Sequence, residues 1–306
     1  MSSKTESVKA DTATKIAESI IALLKKGVSP WHMPWDCGGG QLPLSAEGRA
    51  YRGINVMVLA MEGLANGYKS PYWLTFRKAM EVGGNVRKGE RGTLVMYWHR
   101  NEYEVKDKAG NPILDENGDP VVKRGMLIRG YHVFNADQCD GLPEKFHPAP
   151  PKKKRVVDMK EAEAVWEGYE DRPTLTRGNR CAYSPKADKI IMPPKEAFDS
   201  MPEYYASLFH EACHSTGHET RLNRDMKNYY GGEEYGKEEL IAEIGAQFLC
   251  QQVGITRTLK NAAAYCKSWA RAIKSMPNHE RAIVCAAAQA QKAADWILGN
   301  RKEGDK

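Results

Sequence analysis

Hydrophobic positions recur at helical spacing in several stretches of the chain. Between residues 11 and 26, Ile16, Ile20 and Leu24 lie four positions apart, and Gly27 follows. Side chains at this spacing share one face, which predicts an amphipathic helix ending at Gly27. Similar patterns predict further helices at residues 54–65, 75–82, 159–170, 202–217, 237–253, 258–275 and 278–298.

Strand signals lie between these helices. Residues 93–99 and 126–135 are rich in β-branched and aromatic side chains, which is typical of strands. Residues 180–192 predict a hairpin that turns at 185–188. The charged stretch 101–125 contains two Gly- and Pro-rich turn signals, so we expect an exposed hairpin excursion there. Helices and strands in both halves predict an α+β fold class.

A proline-rich basic segment divides the chain. With 306 residues the chain is long enough for about two domains. HPAPPKKKRVVD, residues 147–158, contains three prolines and four consecutive basic residues, a composition typical of a linker. We therefore predict an N-terminal α+β domain at 1–146 and a mainly helical domain with a small β-hairpin at 159–306.

Composition indicates a protein of the cytoplasm. The seven cysteines form no CxxC pair, which favours reduced thiols over a disulfide framework. The polar N-terminus has no apolar segment of a secretory signal, and no stretch reaches the ~20 apolar residues of a membrane helix. We expect a cytoplasmic protein with no membrane partner.

Charge is unevenly distributed along the chain. Residues 51–100 carry eight Lys or Arg against three Asp or Glu, whereas residues 201–250 carry four against nine. A basic N-terminal block and an acidic C-terminal block indicate two different functions, although both could be solvated faces.

The sequence HEACH is the strongest chemical signal. It places His210 and His214 four residues apart, on one face of a predicted helix, where both imidazoles can bind one metal ion. Glu211 follows the first histidine, so its carboxylate is the candidate general base for a metal-bound water. Two unrelated histidines on a surface helix are the alternative, but the preceding apolar run YYASLF argues for a buried helix.

A third ligand is predicted on the next helix. Glu239 and Glu243 lie four residues apart on an apolar helix face, where buried carboxylates need a charged partner. We assign Glu239 as the direct ligand and Glu243 as the acceptor for a histidine N–H, and the reverse assignment stays open. Glu238 is expected to face solvent. A metzincin is excluded, because Thr220 stands where its third histidine belongs.

Zn²⁺ is the expected metal for two histidines, one glutamate and a water, in a gluzincin-like site. Mn²⁺ or another divalent metal such as Fe²⁺ stays open, because ligand type determines metal preference only loosely.

The N-terminal half has the composition of a single-strand nucleic-acid binder. Such proteins combine a basic groove with aromatic rings on which bases stack. Core packing is the competing explanation for about half of the aromatic residues. The candidate DNA-binding residues are Trp31, Trp35, Arg52, Lys69, Tyr72, Trp73, Arg77, Lys78, Arg87, Lys88 and Arg91.

Several segments resemble a known family. PWHMPW, YRGINVMVL, YWLTFRKAMEVGGNVRKGERGTLVMYW and HVFNADQ resemble the N-terminal domain of ArdC-type antirestriction proteins, a domain shared with certain plasmid primases. SPKADKIIMPP, YYASLFHEACHSTGHETRLNR and KEELIAEIGAQFL resemble the zincin-like metallopeptidase domain of the same proteins. The charged stretch 101–125 departs from the family pattern and leaves the strand count of the first domain open.

The resemblance implies a plasmid-encoded protein that binds single-stranded DNA non-specifically and protects incoming DNA from restriction during conjugation. It does not establish that the second domain cleaves anything. A metalloprotease that cleaves a restriction-related or other protein substrate, with DNA as a tether, is therefore the alternative, and a metal-stabilised domain without chemistry is a third.

Overall fold

The computed structural model describes residues 2–28, 42–107, 109–148, 159–225, 233–255, 262–275 and 278–300. The helices in these ranges are α1 (Ser2–Lys25), α2 (Ile54–Asn66), α3 (Phe76–Glu81), α4 (Met159–Glu167), α5 (Met201–Ser215), α6 (Glu233–Gln252), α7 (Ala262–Ser275) and α8 (His279–Ile297). The strands are β1 (Leu44–Ser45), β2 (Tyr72–Thr75), β3 (Asn85–Val86), β4 (Thr93–Glu104), β5 (Val122–Asn135), β6 (Cys139–Asp140), β7 (Thr174–Arg177), β8 (Ala182–Ser184) and β9 (Lys189–Met192). The predicted α+β class is confirmed.

A four-stranded sheet in the order β1-β2-β5-β4 forms the centre of the N-terminal half. β1 and β2 are parallel, and the other neighbours are antiparallel. α2 is attached to β4 by Asn55, whose amide accepts from Met96 N at 2.9 Å and donates to Met96 O at 2.8 Å. These two bonds pair backbone groups of an edge strand that would otherwise lie buried without partners.

The charged stretch 101–125 extends the β4–β5 hairpin. The two strands pair continuously from Thr93↔Val133 to Glu104↔Val122, beyond the predicted strand ends. At the tip, the carboxylates of Asp107 and Asp115 each accept backbone N–H bonds within their own turns. The predicted exposed excursion is confirmed, and it lengthens two strands of the sheet.

A three-stranded sheet, in the order β7-β9-β8, precedes the helices of the C-terminal half. The predicted hairpin is formed by β8 and β9, with Asp188 in the left-handed conformation at its turn. β7 was not predicted. It is a short edge strand with mostly exposed side chains, so it lacks the alternation that reveals a half-buried strand.

The two halves share one hydrophobic core. Ile16, Ile20 and Leu24 of α1 are buried, and α1 packs against α7 and α8 of the C-terminal half. α1 begins at Ser2, nine residues before the predicted start. At the same junction, Arg52 forms an ion pair with Asp295.

The domain boundaries stay predictions, and the linker lies outside the described residues except for 147 and 148. Within the described ranges, no helix combines the length and apolar character needed to cross a bilayer.

Candidate metal centre

Helix α5 carries the HEACH sequence and lies in the core. The hydroxyl of Ser200 accepts the backbone N–H of Glu203, and Pro202 lies in the first turn, so the helix start is capped. Phe209 and Ala212 are completely buried. Because α5 is fixed along its apolar surface, its polar side chains have defined positions.

Helix α6 lies unusually close to α5 at Gly245. A Cβ atom built on Gly245 would lie 2.7 Å from Cys213 Sγ and 3.5 Å from the carbonyl oxygen of Ala290 on α8. A side chain at this position would force Cys213 or the helices to shift. The close approach brings the carboxylates of the first turns of α6 to the histidines of α5.

His210, His214 and Glu239 converge on one point. The Nε2 atoms of the two histidines lie 3.1 Å apart. One carboxylate oxygen of Glu239 lies 3.5 Å from His210 Nε2, and the other lies 3.4 Å from His214 Nε2. Donors bound to a tetrahedral ion at about 2.0–2.1 Å are separated by about 3.3–3.4 Å. The three side chains therefore fit a divalent metal ion.

Two further carboxylates hold the histidine rings from behind. Glu243 Oε2 lies 3.0 Å from His210 Nδ1, and Glu238 Oε1 lies 3.4 Å from His214 Nδ1. An ionised carboxylate only accepts, so each Nδ1 carries a proton, and each Nε2 is the ring nitrogen that faces the common centre. The expectation that Glu238 faces solvent is wrong, because the residue is only 6 % exposed.

Arg224 completes the support of His214. Its guanidinium donates to both carboxylate oxygens of Glu238, at 3.0 and 2.7 Å, and to the backbone oxygen of Cys213 at 2.8 Å. The bidentate pair fixes the orientation of the carboxylate that holds His214. Arg224 was not among the predicted site residues. The available signal was its position shortly after the buried helix α5, because a charged side chain near the core needs a charged partner.

Arg221 anchors the carboxyl end of α5. This buried guanidinium donates to the backbone oxygens of Ser215 at 2.7 Å and Asp171 at 2.8 Å, and to the carboxylate of Asp188 at 3.1 Å. It thus ties the helix to the β8–β9 turn and to the segment before β7. Sequence reasoning also missed this residue.

The electrostatics of the centre favour a cation. Burial lowers the pKa of His210, but hydrogen bonds to Glu239 and Glu243 outweigh burial and raise this pKa to about 10. Burial raises the pKa of Glu239, but hydrogen bonds from the two histidines outweigh it and lower this pKa well below its usual range. Carboxylates that favour a proton on an imidazole favour a divalent ion at the same place.

Glu211 lies beside this centre. Its side chain is buried, and its charge contributes to the raised pKa of His210. Burial and the charge of Glu211 raise the pKa of the Cys181 thiol, which places that thiol within the field of the carboxylate.

The predicted nucleic-acid residues are distributed over several environments. Trp73 is 1 % exposed, so its ring cannot stack on a base and that prediction is wrong. Its neighbour Leu74 is equally buried, so both faces of β2 are covered. The half-buried ring of Tyr72 packs edge-on against Phe146. Trp31 and Trp35 lie outside the described residues.

Most of the predicted basic residues have acidic partners. Arg77 pairs with Glu81, and Arg52 with Asp295. Lys78 contacts Glu47 and Glu81, and Arg87 contacts Glu90 and Asp140. Lys69, Lys88 and Arg91 are exposed and have no ion pair within the described parts of the chain.

Comparison with known proteins agrees with this architecture. Residues 10–134 match the N-terminal domain of anti-restriction factor ArdC, and residues 160–289 match a zincin-like metallopeptidase family. The crystal structure of the metal-free antirestriction ArdC protein from plasmid R388 is 38 % identical, with a TM-score of 0.73 over 95 % of this chain and 98 % of that chain. The chain belongs to the ArdC antirestriction family.

One more structure and two further proteins are similar to this chain. The Mn(II)-bound structure of the R388 protein has a TM-score of 0.69 over 94 % of this chain and 97 % of that chain. The y4eC protein of Sinorhizobium fredii is 31 % identical over 99 % of this chain and 96 % of its own length. DNA primase TraC of Escherichia coli is 39 % identical over 92 % of this chain, but the chain spans only 19 % of that protein's length.

The zincin-like domain implies a divalent metal, and the N-terminal family indicates nucleic-acid binding.

Proposed function

We propose that this protein binds single-stranded DNA non-specifically and protects incoming plasmid DNA from restriction during conjugation. The observation that carries the proposal is the similarity to the antirestriction ArdC protein of plasmid R388 along nearly the whole length of both chains. The N-terminal domain is the DNA-binding part. Exposed Lys69, Lys88 and Arg91, without acidic partners among the described residues, are its strongest predicted phosphate contacts.

The C-terminal domain holds a divalent metal ion through His210, His214 and Glu239. The donor separations of 3.1–3.5 Å and the two outward-facing Nδ1 atoms support this assignment. Glu243 serves as the outer partner of His210, as the sequence predicts. Zn²⁺ suits two imidazoles and one carboxylate, and the Mn(II)-bound R388 structure makes Mn²⁺ the principal alternative.

Glu211 is the proposed catalytic residue of this site. A bound divalent ion lowers the pKa of a coordinated water from 15.7 towards ~7. The Glu211 carboxylate, one residue beyond His210 on α5, accepts a proton at the edge of the site. The two histidine rings keep their Nε2 lone pairs directed inward, because Glu238 and Glu243 hold their Nδ1 protons.

A protection assay combined with a DNA-binding assay tests the main proposal. Unmodified plasmid is transferred by conjugation into a restricting host that carries either the wild-type protein or no protein. We expect more transconjugants with the protein, and affinity of the purified protein for oligo-dT that falls as salt rises, with a slope of about −0.7 per phosphate contact. A salt-independent interaction, or no gain in transconjugants, would contradict it.

Peptide hydrolysis is the alternative function. It is supported by the metal-binding donor atoms that converge next to Glu211, the arrangement that a metallopeptidase needs. In that case Glu211→Gln keeps the metal and abolishes protection, whereas a dispensable metal domain leaves protection unchanged. Metal content of the purified variant provides the control. Unchanged protection by a metal-loaded Glu211→Gln protein would eliminate the protease interpretation.

A further inference from the structure

One face of the β4–β5 hairpin carries a row of aromatic and basic side chains. Alternation along β4 places Tyr97, His99 and Tyr103 on the same face, together with Val95. The β5 residues opposite these positions lie on the same face: Arg129 is opposite Tyr97, Lys123 is opposite Tyr103, and Tyr131 is opposite Val95. We call this row the tyrosine face, and it consists of Tyr97, His99, Tyr103, Lys123, Arg129 and Tyr131.

Three rings of the tyrosine face, those of Tyr97, Tyr131 and His99, form a connected series. Tyr97 and Tyr131 contact edge to face, with ring centroids 5.6 Å apart and planes at 75°. Tyr51 extends the series at 6.2 Å from Tyr97, and His99 lies 6.3 Å from Tyr131 on the other side. The hydroxyl of Tyr131 is 3.4 Å from His99 Nε2. These contacts hold the rings in fixed orientations.

The tyrosine face is accessible within the described part of the chain. Tyr97 is 38 % exposed and Tyr103 is 50 % exposed. α1 packs on the opposite face of the hairpin, where a Cβ on Gly130 would lie 3.1 Å from the methyl group of Thr12. Large exposed aromatic side chains in a row on a soluble domain surface indicate a binding surface.

The charged side chains that β4 and β5 contribute to this face are all basic. Lys123 and Arg129 are exposed there, opposite Tyr103 and Tyr97 respectively. The two acidic residues of β4, Glu102 and Glu104, fall on the other face by alternation, and β5 contains no acidic residue. A polyanion therefore meets no carboxylate of these two strands on the tyrosine face.

At Tyr97 the tyrosine face borders a cleft between the N-terminal and C-terminal halves of the protein. This cleft, with a volume of about 610 Å³, is bordered by Arg49, Tyr51 and Tyr97 on one side and Gln291 of α8 on the other. Glu47 also lines it, and its carboxylate is paired with Lys78. A chain lying along the tyrosine face can continue into it.

We propose that the tyrosine face is the base-stacking platform for single-stranded nucleic acid, an inference that rests on the proposed function. Bases stack on Tyr97, Tyr103 and Tyr131, while Lys123 and Arg129 lie near the phosphates. From Tyr97 to Tyr103 the strand extends about 20 Å, which corresponds to about six nucleotides at a 3.4 Å stacking distance. The platform differs from the sequence-predicted surface, where Arg77, Lys78 and Arg87 already have acidic partners.

Affinity for fluorescein-labelled oligo-dT, measured with the full-length protein by fluorescence anisotropy, tests this assignment. Loss of one stacking ring weakens binding by about 5- to 150-fold. We therefore expect losses of this size for Tyr97→Ala, Tyr103→Ala and Tyr131→Ala, and affinity close to wild type for the matched Phe variants, which keep the rings. Phe76→Ala is the control, because Phe76 is equally exposed at 50 % and lies on α3.

Photocrosslinking of the wild-type protein to an oligonucleotide containing 5-iododeoxyuridine provides a readout that does not depend on folding of variants. Crosslinked peptides containing Tyr97, Tyr103 or Tyr131 support the platform. Crosslinks confined to residues 69–91, or stably folded Ala variants that bind like wild type, overturn it and leave the proposed function intact. Absence of binding by the wild-type protein would instead refute the proposed function itself.

Discussion

The close approach of α5 and α6 at Gly245 determines the geometry of the metal site, and Gly245→Ala tests this directly. The added Cβ would lie 2.7 Å from Cys213 Sγ. Attractive contacts between such atoms begin at about 3.5 Å, so a gap of about 0.8 Å must open. Because Cys213 is completely buried and tightly packed, we expect the helices to separate. Overpacking costs about 1–3 kcal/mol, and the higher helix propensity of alanine returns about 1 kcal/mol. The expected loss of unfolding free energy is therefore about 0–2 kcal/mol.

The larger effect is expected on metal affinity. Glu239 lies on α6 and both histidines lie on α5, separated by 3.4 and 3.5 Å. A shift of about 0.8 Å would increase these separations to at most about 4.2–4.3 Å, beyond the about 3.3–3.4 Å that a tetrahedral ion requires. We expect Gly245→Ala to bind Zn²⁺ or Mn²⁺ about 10- to 100-fold more weakly, the loss typical of a disturbed metal environment.

The assay is a titration of chelator-treated full-length protein against a chromogenic competitor, with thermal denaturation in parallel. Cys213→Ala removes the clashing sulfur, so the double variant Gly245→Ala/Cys213→Ala should regain most of the affinity, and Cys213→Ala alone is the control. Wild-type affinity in the single Gly245 variant, or no recovery in the double variant, would refute the idea that this contact sets the donor spacing.

Three further predictions concern the same domain. Removing metal with EDTA should lower the Tm, and Zn²⁺ or Mn²⁺ at 100-fold over its Kd should restore about 2.7 kcal/mol; an unchanged Tm in scanning fluorimetry would contradict this. Glu238→Ala should weaken metal binding about 10- to 100-fold by calorimetry, unlike the exposed control Glu219→Ala, and equal affinities would count against a role in holding His214. Burial raises the pKa of Asp188, but hydrogen bonds from Arg221 and Tyr183 outweigh it and lower this pKa. The stabilisation from ionised Asp188 is thus complete above the unfolded pKa of about 3.9. Asp188→Asn should lower the urea midpoint at pH 7, with a smaller difference from wild type at pH 3.5, and a pH-independent difference would argue against the ion pair.

Local sequence patterns determined the helices, the strands of the two hairpins and the first part of the site. The four-residue spacing of His210 and His214 fixes both rings on one face of any helix, whatever packs around it. The same rule placed Glu239 and Glu243 together on the following helix. Turn residues likewise predicted the hairpin excursion and the turn of β8 and β9, because their backbone requirements are local.

Tertiary packing decided which of the remaining side chains are buried and what they contact. α6 lies between α5 and α8, so it has little solvent-facing surface. Glu238 is consequently buried against His214 and Arg224, although a helix with a single apolar face would expose it. Trp73 and its neighbour Leu74 are both buried, because β2 lies inside the sheet and packing covers both of its faces, which the sequence of the strand alone does not reveal. Spacing along the chain is a local property, whereas burial depends on elements that are distant in sequence.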